Sequence, residues 1–222
     1  SRFRFRTLRR LAASNRLMES VAFPLTNTKE SKMTGKSATD EDLLQAAISG
    51  DSESFSIIVR RWEKKIYSLC YGILTNHSDA LDAAQETFIS AFKSMGSFRG
   101  EAKVSSWLHR IAVNQCLTKI RRTKVRPETA IPDESNESDK FLTDLRNSPL
   151  SDLERKEKVL RVRSAVRSLP HDLRQVVVLK EIQELTFNEI SNILGIPIST
   201  VKSRLYNALR QLKLKLENKS IR

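Results

Sequence analysis

Residues 185–216 read LTFNEISNILGIPISTVKSRLYNALRQLKLKL, and this stretch predicts two helices joined by a short turn. Thr186 and Glu189 have capping-box spacing, in which the hydroxyl and the carboxylate each accept a backbone N–H, so a helix is predicted to begin there. Gly195 and Pro197 end that helix, because glycine adopts positive φ and proline disfavours helical geometry at the residue before it. A second helix follows, with apolar residues at three- and four-residue steps: Val201, Leu205, Ala208, Leu212 and Leu216.

The opposite side of this second helix is polar and basic, with Thr200, Lys202, Ser203, Tyr206, Asn207 and Arg210. Ser191 and Gly195 are small, and we predict that the two helices cross closely at these residues. Cap, turn and polar face together predict a helix-turn-helix whose second helix suits the major groove of DNA. An ordinary helical hairpin with a solvated basic face is the alternative.

Composition favours a helical globular protein. The chain has 222 residues with only six Gly and six Pro, and 39% of its residues are hydrophobic, so we predict an all-α fold. The formal net charge of +13 attracts polyanions. Charge alone does not distinguish DNA from RNA or from a membrane surface.

The cysteine and histidine residues predict no cofactor and no metal site. Cys70 and Cys116 lie far apart in the sequence among apolar neighbours, so we expect buried structural thiols in a reducing cytoplasm. The three histidines have no ligand-like spacing. No run of about 18 apolar residues occurs, so no membrane insertion is expected.

Composition along the chain predicts two helical domains joined by a linker. Residues 39–126 contain four amphipathic patterns, and 151–218 contain the helix-turn-helix with helices before it. Between them, 127–150 are acidic, contain Ser, Asn and Pro, and lack apolar periodicity, so we predict a flexible linker.

Residues 1–38 are predicted to be a disordered leader. The segment before Met33 begins with Ser and is rich in Arg. An organelle transit peptide and a basic nucleic-acid arm both have this composition. Because Met33 reads as a natural start before a capped helix, we expect a non-native leader from an upstream-extended gene prediction or an expression vector.

The third helical pattern carries an acidic face that ends in an apolar residue: Asp79, Asp82, Gln85, Glu86 and Ile89. Its carboxylates could hold a divalent cation for phosphodiester cleavage, although no histidine partner or phosphate-binding loop supports a nuclease. A solvated helix face and a docking face for a basic partner remain the other two interpretations.

A basic and aromatic segment follows, from Phe98 to Arg122. Aromatic and arginine side chains beside a glycine-containing loop are typical of single-strand binding, where unstacked bases need flat surfaces. Trp107 fits a helical core stripe and is interpreted as packing. Asn114 could bond a base edge or pack between helices.

Two runs carry a family resemblance. DAAQETFISAFKSMGSFRGEAKVSSWLHRIAVNQCLTKIRR (82–122) resembles region 2 of the bacterial extracytoplasmic-function sigma factors, which belong to group 4 of the sigma-70 family. LPHDLRQVVVLKEIQELTFNEISNILGIPISTVKSRLYNALRQL (169–212) resembles their region 4. The resemblance covers nearly everything from Thr39 to Leu216, in the family's order and without a region 3.

The resemblance implies a role for each surface. The acidic face matches the segment that docks on the β′ coiled coil of core RNA polymerase. The minus-10 element would be read and opened by a set matching region 2: Phe98, Arg99, Lys103, Arg110, Asn114, Arg121 and Arg122. The minus-35 element would be read by a set matching region 4: Ser199, Thr200, Lys202, Ser203, Arg204, Tyr206 and Asn207.

In region 4, the resemblance places Lys202, Ser203, Tyr206 and Asn207 at base-reading positions and Thr200 and Arg204 on phosphate. It also implies contact with the polymerase β flap, an anti-sigma factor as partner, and the bacterial cytoplasm as location. The chain would act by binding and not as an enzyme. A stand-alone helix-turn-helix regulator that binds an operator as a dimer is the alternative function.

Three positions depart from the family's pattern. Ser199 replaces a usual Gly, which a helix cap tolerates. Asn207 lies where many relatives have Arg; since Asn prefers adenine and Arg guanine, a different minus-35 sequence is expected. Val104 lies where an aromatic is common, which argues against base stacking there.

Overall fold

The computed structural model of the chain describes residues 38–100, 102–125 and 160–218. Within these ranges every regular element is a helix, so the predicted all-α fold is confirmed. The predicted leader, apart from residue 38, and the whole of the predicted linker over 127–150 lie outside the described residues.

In the N-terminal bundle, each of the first three helices begins at a residue whose side chain caps it. Thr39 forms a complete capping box with Asp42, while Asp51 and Asn76 accept backbone N–H groups of the helices that follow them. Such caps satisfy amides that have no partner inside the helix. The elements are α1 (Asp40–Ile48), α2 (Ser52–Leu74), α3 (His77–Ser94), a 3₁₀ turn (Met95–Ser97) and α4 (Val104–Val125).

The core of this bundle joins large side chains of α2 to small ones of α3. Ile58, Ile66 and Leu69 of α2 are fully buried. The buried positions of α3 include four alanines, whose short side chains allow close helix packing: Ala80, Ala83, Ala84 and Ala91.

The apolar spacing of Phe88, Ala91 and Phe92 predicts that Phe92 faces inward, and the structure contradicts this prediction. Its side chain is 50% exposed and lies edge-on to the buried ring of Phe55, with 5.3 Å between ring centroids. The apolar stripe of α3 is therefore narrower than its periodicity suggests, and an aromatic ring remains at the surface beside Ile89.

Helix α1 braces the bundle through two carboxylates. Asp40 accepts hydrogen bonds from the indole Nε1 of Trp62 at 2.8 Å and from Arg61 at 2.9 Å. Glu41 accepts the backbone N–H of Val104 at 3.1 Å, so it satisfies an amide at the start of α4. The first helix thereby fixes where the fourth begins.

A C-terminal bundle contains the helix-turn-helix. Its elements are α5 over 160–167, α6 (His171–Val177), a π-helical turn (Val178–Ile182), α7 (Phe187–Leu194) and α8 (Ile198–Asn218). The sequence VVVL over 176–179 predicts a core segment, and these residues are buried, as are Val201, Leu205, Ala208 and Leu212 on one side of α8. The apolar spacing of Leu160, Val162 and Val166 predicts that Leu160 faces inward, but it is 42% exposed, so that prediction is wrong.

The turn of the helix-turn-helix rests on backbone geometry at Gly195. Gly195 has φ +64° and caps α7, as predicted, and its N–H bonds the carbonyl of Ser191. The Ser191 hydroxyl donates to the carbonyl of Ile196 at 2.6 Å. A Cβ on Gly195 would meet no atom within 4 Å, so the prediction that this glycine permits a close helix crossing is wrong. It is needed for its positive φ.

Gly195→Ala is expected to lower the free energy of unfolding by about 1–2 kcal/mol, because a Cβ disfavours left-handed backbone geometry. Gly195→Asn should cost less, since Asn tolerates this conformation better. Chemical denaturation measures both. Gly96→Ala is the matched control, because a Cβ there also meets no atom and φ is not positive. An equal loss at both glycines would contradict the role of φ.

The two bundles pack directly against each other. Arg174 of α6 donates a hydrogen bond to the carbonyl of Ile73 at the end of α2, and Val178 packs on Gly72. Helix α7 lies against α4. The buried residues of both bundles therefore form one continuous apolar core.

Candidate functional site

The acidic face, defined as Asp79, Asp82, Gln85, Glu86 and Ile89, lies on the outer side of α3. Gln85 and Glu86 are exposed, and Ile89 is 46% exposed. An exposed aliphatic side chain beside carboxylates suits a partner surface that has an apolar patch surrounded by basic residues.

Lys119 of α4 occupies one end of this acidic face. Its Nζ lies 3.2 Å from a carboxylate oxygen of Asp79 and 3.0 Å from one of Asp82. Burial acts to lower the pKa of Lys119, but the hydrogen bonds to Asp82 and Asp79 and the negative charges of both carboxylates together outweigh it and raise that pKa. Both carboxylates remain partly open to solvent, so they are oriented by Lys119 without being covered.

The predicted minus-10 residues lie on α4 and on the loop before it. Arg99, Lys103, Arg110 and Asn114 are exposed. Phe98 is half-buried, with its ring centroid 5.3 Å from that of Trp107. Trp107 itself packs against the core, as its interpretation as a packing residue requires. Val104 is fully buried, so it offers no surface for stacking.

Asn114 points away from the helices that pack on α4. Its side chain is exposed, so packing between helices does not account for it. Arg110, Asn114 and Arg121 are separated by four and seven residues and share one side of α4. Arg110 and Arg121 are about 16 Å apart along the axis at 1.5 Å per residue, the length of about five nucleotides at 3.4 Å each. Arg122 is exposed beside Arg121.

The predicted minus-35 residues occupy the outer side of α8. Lys202, Ser203 and Tyr206 are exposed, with Tyr206 at 61%. Thr200 and Arg204 are half-buried, and Arg204 lies 3.9 Å from Asp172 of α6. Ser199 is exposed but follows the first residue of α8, Ile198. It therefore lies inside the first turn and is not the cap that the sequence suggested.

The side-chain oxygen of Asn207 is turned toward its own helix. It accepts long hydrogen bonds from Arg210 at 3.3 Å and Gln211 at 3.4 Å. Bidentate adenine recognition needs a donor and an acceptor together, so reading adenine requires Asn207 to give up both contacts.

Sequence reasoning missed three residues that shape these surfaces. Lys119 orients the acidic face, Glu41 holds the start of α4, and Phe92 adds an exposed ring next to Ile89. Of these three residues, only Phe92 had a signal in the sequence, because it lies three residues after Ile89 on the same helix and therefore on the same side. The other two act across 37 residues or more.

Comparison with known proteins identifies both halves of the chain. Residues 58–126 match Sigma-70 region 2, and residues 160–212 match Sigma-70, region 4. The chain is 32% identical over 173 residues to the RNA polymerase sigma-H factor of Pseudomonas aeruginosa, which covers 76% of this chain and 89% of that protein. It is also 32% identical over 183 residues to the ECF RNA polymerase sigma-E factor of Escherichia coli K12, and this alignment covers 81% of this chain and 95% of that protein.

The chain belongs to the extracytoplasmic-function sigma factors.

The fold of this sigma factor has a counterpart among solved structures. The sigma factor RpoE of Bartonella quintana, in complex with the anti-sigma factor NepR, aligns with a TM-score of 0.56 and 20% identity, over 74% of this chain and 98% of that one. Family membership carries the function: the protein is a sigma factor for transcription initiation, which binds core RNA polymerase and promoter DNA. A stand-alone regulator would account for the C-terminal match only.

Within residues 38–100, 102–125 and 160–218, no three His, Cys, Asp or Glu side chains are grouped so that they could hold a metal ion. No helix in those ranges is long and apolar enough to cross a membrane. Cys70 and Cys116 are both buried and free, as predicted, and a hydrogen bond to Cys70 together with burial raises the pKa of the Cys116 thiol.

Proposed function

We propose that this sigma factor divides its work among three surfaces, by binding alone and without catalysis. The acidic face docks on the β′ coiled coil of core polymerase. The basic surface of α4 and its preceding loop reads and opens the minus-10 element. The outer side of α8 reads the minus-35 element. The residues are those named above for each surface, within domains spanning 39–126 and 151–218 and joined by the linker over 127–150.

The observation that best supports this division is that most residues of the three sets are exposed, on helix faces whose opposite sides are buried. Docking surfaces need exposed charge on a rigid support. The acidic face lies on α3, whose opposite side carries four buried alanines. The outer side of α8 is backed by Val201, Leu205, Ala208 and Leu212 in the core. Each surface can therefore engage a partner without disturbing the fold.

At the minus-10 element the protein would capture an extruded base. Unstacking a base costs a few kcal/mol, so the loop and α4 must offset that cost with stacking and hydrogen bonds. Phe98 offers a ring face, Asn114 offers an amide, and Arg121 and Arg122 supply positive charge for the backbone. At the minus-35 element, Lys202, Ser203, Tyr206 and Asn207 would contact base edges, with Thr200 and Arg204 nearer to phosphate. Ser199 would be a further contact to this element.

The partners beyond core polymerase and the promoter follow from the same surfaces. We propose that the C-terminal bundle also contacts the polymerase β flap and that an anti-sigma factor binds this chain. The similar RpoE structure contains an anti-sigma factor. The site of action would be the bacterial cytoplasm, where core polymerase transcribes.

Transcription with added core polymerase on fragmented genomic DNA, followed by sequencing of the RNA 5′ ends, tests the proposal. We expect a discrete set of start sites, absent with core polymerase alone, that share two upstream elements at a fixed spacing. Gel filtration of the mixture should move the chain into the polymerase fraction. A chain that elutes as a free dimer and adds no start sites would refute the proposed division of surfaces.

A further inference from the structure

Lys119 of α4 is paired with two carboxylates of the acidic face on α3. Its Nζ lies 3.0 Å from Oδ2 of Asp82 and 3.2 Å from Oδ1 of Asp79. The two aspartates are three residues apart and therefore lie on one side of α3, so a single ammonium group contacts both. A cation of the protein itself thus occupies one end of the surface that we propose for polymerase.

The packing of α4 on α3 fixes the position of this cation. Cys116, three residues before Lys119, is fully buried. Gln115, one residue earlier, donates from Nε2 to the hydroxyl of Ser90 on α3 at 2.9 Å. The Lys119 side chain is only 23% exposed. Its ammonium group is therefore held at the carboxylates by the helix that carries it.

Lys119 cancels part of the charge that a basic partner would meet. The acidic face contains three carboxylates, those of Asp79, Asp82 and Glu86, and Lys119 offsets one of these charges. Burial acts to lower the pKa of Lys119, but the hydrogen bonds and the negative charges of Asp82 and Asp79 raise it, so the side chain is a cation at neutral pH. A partner cation that binds these carboxylates must either displace Nζ or lie close to it.

Both routes weaken docking. A partner cation bonded to the other oxygen of Asp82 would lie about 6 Å from Nζ, since each hydrogen bond is about 3 Å long. Repulsion between two unit charges at that distance weakens binding about threefold in water, and about tenfold at half the dielectric constant of water. Displacing Nζ instead would break its hydrogen bonds to both aspartates.

The fold depends on Lys119 only weakly. The side chains of Asp79 and Asp82 are 47% and 59% exposed, so water can solvate both carboxylates when the lysine is removed, and exposed ion pairs contribute little to stability. Aspartate is also short, so a partner loses little side-chain entropy by ordering it without help from Lys119. Repulsion of the partner therefore outweighs any benefit from orienting the carboxylates.

We propose that Lys119 limits the affinity of this sigma factor for core polymerase, because it competes with the cations of the partner for Asp79 and Asp82. This inference rests on the proposed docking of the acidic face. Lys119 is a positioning residue in this role, since it acts through the two carboxylates. Its removal is expected to strengthen docking, which is the opposite of what removal of an interface residue usually does.

Titration of labelled core polymerase with the full-length protein tests this inference in two neutral variants, Lys119→Met and Lys119→Gln. Both should bind polymerase about threefold to tenfold more tightly than the wild type. Lys119→Arg keeps the charge and should bind as the wild type does. Lys64→Met is the matched control, because Lys64 is exposed on α2 outside the acidic face, and its affinity should stay within about twofold of the wild type.

Salt dependence separates this competition from a structural effect of the substitution. The gain in affinity should fall as ionic strength rises from about 0.1 M to about 1 M, because the Debye length shortens from about 10 Å to about 3 Å. In an Asp82→Asn background, Lys119→Met should give less than about half of its gain, since the carboxylate for which the two cations compete is gone.

An unchanged or lower affinity in both neutral variants overturns the role of Lys119, and so does an equal gain in Lys64→Met. Asp82→Arg in the same assay tests the docking itself. If Asp82→Arg binds polymerase as tightly as the wild type, the proposed docking of the acidic face has failed. If Asp82→Arg binds weakly while the neutral Lys119 variants show no gain, the docking stands and only the role of Lys119 is lost.

Discussion

Replacing Asp82 with arginine is expected to abolish binding to core polymerase without unfolding the protein. The substitution places a cation on the acidic face, and like charges facing each other across an interface cost several kcal/mol, or about 100-fold or more in affinity. Asp82 is exposed, and its partner Lys119 retains the ion pair with Asp79 after the substitution. Since a surface ion pair contributes at most about 1 kcal/mol, thermal unfolding should change little.

The matched control is Glu53→Arg on α2. Glu53 is also exposed and also forms one ion pair, with Arg60, but it lies outside the acidic face. Asp82→Asn, which removes charge without reversing it, should give an intermediate affinity. If Glu53→Arg weakens polymerase binding as much as Asp82→Arg, general electrostatics and not the acidic face would govern docking.

Lys202→Ala and Asn207→Ala are each expected to weaken minus-35 recognition by about 1–3 kcal/mol, or roughly 5- to 150-fold. Polymerase binding should remain intact, because both residues lie on α8 away from the acidic face. The measurement is competition by promoter duplexes for the sigma–polymerase complex, with the minus-35 element either present or scrambled. If the removed side chain contacts a base, its loss narrows the difference in affinity between the two duplexes.

Lys213→Ala serves as the control for Lys202→Ala. Both lysines are exposed on α8, and Lys213 pairs with Glu217 outside the predicted reading surface. Gln211→Ala should release one of the two contacts on the Asn207 oxygen and so favour pairing with adenine. Equal losses of affinity for both duplexes in the Lys202 and Asn207 variants would assign these side chains to phosphate.

The sequence predicted the features that depend on near neighbours. Thr39 with Asp42 and Thr186 with Glu189 are three residues apart, and both form the complete boxes that their spacing indicates. The buried side of α8 follows from steps of three and four residues in the same way. Such patterns are local, so no knowledge of the tertiary fold is needed to read them.

Contacts between distant segments could not be read in this way. Glu41 reaches Val104 across 63 residues, and Arg174 reaches Ile73 across 101. In the sequence Gly72 is only a helix-weakening residue, since its use depends on Val178 from the other bundle. The roles of the predicted surface residues remain predictions, because exposure makes them available without identifying what they bind.

The carboxylates of α1 bear on how this protein can be divided for experiments. The match to Sigma-70 region 2 begins at residue 58, so a fragment cut there would look complete by homology. It would lack Asp40 and Glu41, leaving the indole N–H of Trp62 and the first amide of α4 without the partners they have here. Such a fragment would bind DNA with a frayed start of α4. Any loss of DNA binding would then originate in the missing N-terminal helix and not in the arginines of α4 or in the DNA sequence.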